Sequence, residues 1–456
     1  MAHRGEQPTG SAEAMAELER GLRGHLERPG TGGYDRARAL WNSKVDRMPA
    51  FVVRPSDVAD VVLTVEVAHT HDLGITVKCG GHGIAGRAIA EGAILVDLAE
   101  FDDVRVDGET RRAWVEGGAT WGALNEQTAK VGMVAPGITH PSVGVGGYTV
   151  GGGIGPLARS QGLAIDALRS VEVVTAAGEL VRASETSHQE LFWALRGGGG
   201  GFGIVTAFEF DLRPIETPVL RGTVLYRMED APTVLRAHRD FFSDAPDEVQ
   251  CFASFAHAGA AFDVPQQHHG EPMLMLSMLH RGPVDQGRES LRPLRSIVEP
   301  VVDLVGEQRY HDGASYPPAG FRNRYDSRFL RALPDGAIDR LVESATPLPG
   351  RHSTLVVTPL GGAISRIDAT ATAFPHRDAA FILGIYAHWS DPQHDTTARA
   401  WSQRLCDAVA PHSTGAYLNN QPEGGEGGAR AAFGTNYERL MSLKARWDPD
   451  ALFSAQ

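Results

Sequence analysis

The stretch Val77-Lys78-Cys79-Gly80-Gly81-His82-Gly83-Ile84-Ala85-Gly86 decides the reading of this chain, because it sets one histidine in a glycine turn directly behind a β-branched strand candidate. Glycine lets the backbone take φ > 0 and approach a ligand closely, and successive N–H groups in such a turn can converge on an anion such as a pyrophosphate. A histidine held there would face the bound group. Taken alone, the turn reads equally as a surface loop with a chance histidine, and the glycine segments downstream of it separate the two readings.

Val143-Gly144-Val145-Gly146-Gly147-Tyr148-Thr149-Val150-Gly151-Gly152-Gly153-Ile154-Gly155 holds seven glycines in thirteen residues. That density costs conformational entropy, and a compact domain tolerates it where side chains would obstruct something lying on the backbone. Gly197 to Gly201, with Phe202-Gly203-Ile204-Val205-Thr206 behind it, sits between a short helix candidate at 189–195 and a strand candidate at 204–212. Apolar flanks on both sides argue against a flexible linker.

Composition bounds the rest. At 456 residues two domains are expected, and 42% hydrophobic with 22% charged residues is the balance of a soluble globular protein. A net charge of -13 and the lack of any Lys/Arg run argue against nucleic acid as partner. Cys79, Cys251 and Cys406 are far apart and odd in number, so neither a disulfide framework nor a metal site is expected. No run of about 18 apolar residues exists to cross a membrane, and the polar start Met1-Ala2-His3-Arg4-Gly5-Glu6 is unlike a signal peptide, so a cytoplasmic location is expected.

Periodicity places a helix over 55–72, strands at 75–79, 93–98 and 113–116, a helix at 121–130 and a hairpin of 168–175 with 179–183 around Ala177-Gly178. This alternation makes an α+β unit up to about Pro214. From Val219 to Cys406 the glycine motifs vanish, and 264–269 and 316–318 read as loop or lid segments. The piece Pro422 to Gly428 reads as an exposed loop.

In order and spacing the three glycine segments resemble the covalent-flavin oxidases of the berberine-bridge-enzyme type, within the vanillyl-alcohol oxidase and para-cresol methylhydroxylase superfamily. A fourth segment, Gly415-Ala416-Tyr417-Leu418-Asn419 with Asn436-Tyr437-Glu438-Arg439-Leu440 and Trp447-Asp448-Pro449 behind it, looks like that family's C-terminal return. The resemblance runs from about Tyr34 to Phe453. It implies an α+β protein: a two-part FAD-binding domain of the para-cresol methylhydroxylase type, at 1–215 and 407–456, with an inserted α+β substrate domain at 216–406.

The resemblance also implies roles. His82 would carry FAD covalently through the flavin 8-methyl group, which in the family raises the reduction potential and prevents loss of the cofactor. Lys78, Cys79, Gly80, Gly81, Gly83 and Gly86 would form the surrounding pyrophosphate turn; Lys78 stands where arginine is common and Cys79 where serine or glycine is. Val143, Gly144, Gly147, Gly152 and Gly153 would cradle the cofactor with Tyr148 packed on it. Gly203 and Val205 would supply backbone on the adenine side, where Gly201 replaces the usual asparagine. Asn419 and Asn436 would bond the ring and ribityl chain. Many relatives attach the flavin a second time through a cysteine just before Pro-Ser/Thr-Val-Gly-Val-Gly-Gly. Here that residue is His140, which cannot form the thioether and is expected as a polar neighbour of the flavin edge.

The base is the departure. Relatives with Tyr-x-Asn-Tyr use the second tyrosine to take a hydroxyl proton as hydride passes to the flavin, whereas this chain reads Tyr417-Leu418-Asn419-Asn420 and an amide cannot do so. Strand alternation would put Tyr417 with Asn419, away from position 420. Replacement candidates are Tyr386 and His388, on one face of a strand, with Tyr316 and His140. The expected activity is an FAD-dependent oxidase taking hydride from a hydroxylated small molecule, a secondary metabolite or sugar-like compound, with O2 as acceptor. An oxidative cyclase or oxygenase acting on a polyketide-type metabolite is the alternative, and a flavin-carrying binding protein a third reading. Gly81-x-Gly83-x-x-Gly86 matches a nicotinamide-dinucleotide pattern, but the strand at Ala93 leaves no room for the helix that pattern requires. Substrate identity and oligomeric state stay open.

Overall fold

The computed structural model describes residues 10–259, 264–311, 319–422 and 425–453. The quoted stretch opens on strand Ile75–Lys78, the edge of a four-stranded sheet ordered His25–Glu27, Phe51–Arg54, Ile94–Asp97, Ile75–Lys78. The last three strands run parallel, and Ile94–Asp97 is buried at every position, as a strand covered on both faces should be. One cover is helix Val58–Thr70, which starts where Asp57 accepts the N–H of Asp60 and turns Val61, Val65 and Ala68 into a core with Phe51, Ile75 and Ile94. Helix Ser11–Gly21 adds Ala14 and Leu18 to that core and was not foreseen from sequence.

A second sheet, five-stranded and antiparallel, is ordered Val104–Asp107, Arg112–Glu116, Ile204–Asp211, Leu168–Val174, Leu180–Ser184. The expected hairpin is its edge pair. The second glycine segment is not one unbroken cradle, because Val145–Val150 closes into a short helix.

Beyond Val219 the chain builds a nine-stranded antiparallel sheet whose central members are Val249–His257, Thr354–Pro359, Phe381–Trp389 and Arg322–Leu330. Period-2 alternation divides its faces. Cys251, Ala253, Phe255, Leu355, Val357, Leu383, Ile385 and Ala387 pack under helices Ala231–Phe241, Val284–Arg295, Asp335–Ala345 and Asp395–Val409. Phe252, Ser254, Thr354, Val356, Tyr325, Tyr386 and His388 point the other way, into a cavity.

Edge strand Ser413–Gly415 still pairs with Arg322–Leu330, so the chain leaves this sheet at Ala416 rather than at 407. Residues Leu418–Asn420 then form a 3-10 turn, and helices Glu426–Phe433 and Tyr437–Trp447 lead back to the first sheet, where Leu452 O accepts the N–H of Ile75 and Phe453 is fully buried. The segment Pro422 to Gly428 is therefore no simple loop: residues 423–424 lie outside the described residues and Glu426 begins a helix. Gln266–His268 in the expected 264–269 loop is one 3-10 turn. Among the described residues no helix is long and apolar enough to cross a membrane.

Candidate functional site

The glycine segments line a cavity of about 1900 Å³ opposite the free face of the nine-stranded sheet. That is well above the ~300–1,000 Å³ of a pocket for one drug-sized ligand, so a dinucleotide and a second molecule have room together. A Cβ on Gly80 would run into the backbone nitrogen of Gly144, and one on Gly144 into that of Gly80, so the two segments touch main chain to main chain. At Gly83 and Gly147 a Cβ would meet nothing within 4 Å. Bare backbone therefore faces open space, the surface that a flat and extended cofactor such as FAD needs.

Above this floor His82 stacks on Trp41, with ring centroids 4.3 Å apart and 22° between planes, while His140 meets both rings edge-on. His82 Nε2 lies 3.0 Å from Ser142 Oγ. Burial, aided by the neighbouring His140, pulls the His82 pKa down to about 4, and burial does the same to His140. Both rings are neutral at physiological pH. Cys79 lines the wall, but burial pushes its thiol up to about 11 against the backbone N–H groups of Gly147 and Gly146. It is a packing thiol joining two segments, with no thiolate to offer.

Gly81, Val143, Tyr148, Gly203, Val205, Tyr417 and Asn419 also reach the cavity. The structure does not bring the other expected cofactor residues there. Lys78 is buried behind the turn, its Nζ donating to Ala37 O and lying 3.3 Å from Asp97, because an ammonium at a buried strand end needs a carboxylate more than it needs solvent. Gly86 packs against Val45. Gly152 and Gly153 sit one layer back, against Phe374, Tyr417 and Ala164. Asn436 is 4% exposed and donates to Ala369 O at 2.8 Å and Thr372 O at 3.0 Å, so it pins a loop instead of meeting a cofactor. Tyr316 lies outside the described residues.

The candidate bases resolve into two groups. Tyr417 Oη is taken up by the N–H groups of Gly153, at 3.0 Å, and Ile154, at 3.3 Å, and by Asn419 Nδ2 at 2.8 Å, and burial raises its pKa to about 12. It ties the returning segment to the glycine wall. The 3-10 turn overrides the strand alternation expected here, and Asn420 also lines the cavity, donating from Nδ2 to Tyr386 Oη at 3.1 Å. Tyr325, opposite Tyr386 in register, stacks edge-on with it at 4.8 Å and places Oη 3.4 Å from His388 Nε2. The Trp41 side chain lies beside the same phenol, while burial drives the phenol pKa upward and pulls His388 down to about 4.

Sequence reasoning missed Trp41, Ser142, Tyr325, Arg87 and Lys444. Alternation in Arg322–Leu330 offered a signal for Tyr325 alone. Arg87 and Lys444 line the cavity with pKa values lowered by burial, and among the described residues no carboxylate is set against Arg87. An uncompensated buried cation suits an anionic group of a ligand.

Residues 49–184 match the FAD binding domain family model and residues 416–456 the berberine and berberine-like model. The chain is an FAD-dependent oxidoreductase with a berberine-like C-terminal segment. Its FAD-binding fold is shared with the BBE-like 1 protein of Physcomitrella patens, at TM-score 0.86 and 22% identity over 96% of this chain and 97% of that one. A chitooligosaccharide oxidase matches at TM-score 0.86 and 21% identity, covering 97% and 98% of the two chains. In sequence, (R)-6-hydroxynicotine oxidase of Paenarthrobacter nicotinovorans is 27% identical over 454 residues, 95% of each chain. In this FAD-linked oxidoreductase the bare glycine floor has the open backbone that FAD would need, and the sheet face with Tyr325, Tyr386 and His388 lines the opposite wall of the cavity.

Proposed function

We propose that the protein is an oxidase that takes hydride from a carbinol carbon of a hydroxylated small molecule, a secondary metabolite or sugar-like compound, with O2 as final acceptor, and that His82 holds the FAD covalently. The observation that carries this reading is the Tyr325 phenol 3.4 Å from His388 Nε2, with Trp41 beside it, on the wall facing the glycine floor. FAD, when bound, supplies the hydride acceptor.

The protein's own groups handle the proton. The substrate hydroxyl gives its proton to Tyr325 Oη as Tyr325 passes its own to His388 Nε2. A carbinol oxygen becomes strongly acidic only as hydride leaves its carbon, so a neutral imidazole of low pKa suffices as acceptor at that moment. Tyr386, held by Asn420, is placed to orient the substrate. In the same reading residues 1–215 and the returning C-terminal segment bind FAD, and 216–406 shape the substrate side. The names of the chitooligosaccharide and 6-hydroxynicotine oxidases support hydroxylated substrates as a class.

The test is anaerobic mixing of the yellow protein with a panel of oligosaccharides, benzylic alcohols and hydroxylated heterocycles, and then admission of air. Bleaching of the flavin and then stoichiometric H2O2 support the reading. No bleaching by any class, or reoxidation without H2O2, would overturn it.

A further inference from the structure

Ser142 and His140 complete a chain of hydrogen bonds that begins at His82. The Ser142 backbone N–H donates to His140 Nδ1 at 3.4 Å, so that nitrogen is an acceptor, and Ser142 Oγ lies 3.3 Å from it. The hydroxyl proton therefore points at His140. Ser142 Oγ is left to accept, and its remaining neighbour is His82 Nε2 at 3.0 Å, which must carry the proton. The order is His82 Nε2–H to Ser142 Oγ–H to His140 Nδ1. It fixes the His82 tautomer and leaves the Nδ1 lone pair with no protein partner among the described residues.

We propose that Ser142 and His140 are a proton relay for the covalent attachment of FAD to His82: they withdraw the Nε2 proton while Nδ1 forms the bond. This rests on His82 being the attachment residue. The C–N bond forms between His82 Nδ1 and the 8-methyl carbon. The methyl group loses one C–H proton, and the imidazole loses its N–H proton to His140 through Ser142. The electron pair of the broken C–H bond enters the isoalloxazine, which ends two-electron reduced, and O2 takes the pair and two protons as H2O2.

Each member of the relay has a reason to be where it is. Trp41 stacks on the face of His82, and its backbone N–H donates to Gly81 O at 3.0 Å, so the ring that must attack is held against rotation. The Ser142 carbonyl lies against Gly80, where the two glycine segments touch. Burial keeps both imidazoles neutral at physiological pH, so one is a nucleophile and the other a proton acceptor.

The experiment tracks attachment and not turnover. Full-length protein from riboflavin-starved cells is mixed with FAD in air. Bound flavin is read by visible absorbance, and covalent flavin by fluorescence retained after acid precipitation. Ser142→Ala and His140→Ala are expected to bind FAD as the parent does and to attach it on the order of 10²-fold more slowly, the scale of a lost proton acceptor. Ser142→Thr should keep the rate, added imidazole should restore it in His140→Ala, and His140→Gln, which accepts a hydrogen bond but no proton, should stay slow. After long incubation the flavin in His140→Ala still ends on His82. Parental attachment rates in Ser142→Ala and His140→Gln would overturn the relay while leaving His82 as the anchor. A parent that never retains flavin after acid removes the anchor and the relay together.

Discussion

Tyr325 Oη stands 3.4 Å from His388 Nε2 across neighbouring strands of the nine-stranded sheet, beside Tyr386, whose Oη accepts from the amide of Asn420. Tyr325→Phe keeps the ring and removes the hydroxyl. The anaerobic flavin-reduction rate should fall ~10²–10⁴-fold, with flavin content intact. His388→Ala should fall alongside it, while Tyr386→Phe should mainly weaken substrate binding. If Tyr325→Phe and His388→Ala both reduce the flavin at the parental rate, the oxygenating or cyclising alternative becomes the better reading.

Attachment has a simpler test. Acid-precipitated parent should be a yellow pellet, and His82→Ala should leave a white pellet with its flavin in the supernatant. Replacing His140 should not produce that result at the endpoint. A yellow pellet from His82→Ala would place the bond elsewhere.

Asp166 and Arg377 form a two-pronged ion pair, at 2.7 and 2.8 Å, with side chains 5% and 3% exposed. It ties the segment before strand Phe381–Trp389 to the glycine half of the molecule. Asp166→Asn leaves a buried guanidinium uncompensated and should cost ~3–5 kcal/mol, whereas Asp166→Asn with Arg377→Met should cost less than the sum of the two singles. Denaturant unfolding of the four proteins measures the coupling; additive losses would mean the pair does not act as a pair.

His238 is fully buried, and its Nε2–H donates to Cys251 O at 3.0 Å. Burial, only partly offset by that bond, lowers its pKa to about 4, below the ~6.5 of an unfolded histidine. Between those values the unfolded chain binds the extra proton, so the stability contribution is full above pH ~6.5 and is lost as the pH falls toward 4. His82, His140 and His388 act in the same direction. The melting temperature should drop steadily from pH 7 to pH 4.5. His238→Gln should flatten that slope by up to about 1.4 kcal/mol per pH unit. A melting temperature that holds or rises on acidification contradicts this account.

Much of the architecture was legible because its signals are local. Helix Val58–Thr70, the strand Ile75–Lys78 before the turn and the edge hairpin Leu168–Val174 with Leu180–Ser184 come from periodicity and turn residues. Short pieces failed where a few residues obey their surroundings more than their pattern. Val145–Val150 coils into a helix within a glycine run, and Leu418–Asn420 takes a 3-10 turn where alternation suggested a strand.

What could be read in one dimension is the glycine wall of the cavity: three glycine segments and the order in which they come. Bare backbone has no side chain that folding can redirect, so its meaning survives in one dimension. Which polar residues face the cavity depends on how distant segments pack together. Lys78 and Asn436 found carbonyl partners closer at hand and were drawn away. Ser142 meets His82 and Tyr325 meets His388 across 60 and 63 residues, because the contact of two glycine segments and the strand register bring each pair within hydrogen-bonding range. A side chain's partner is set by what folds against it, and no local pattern records that.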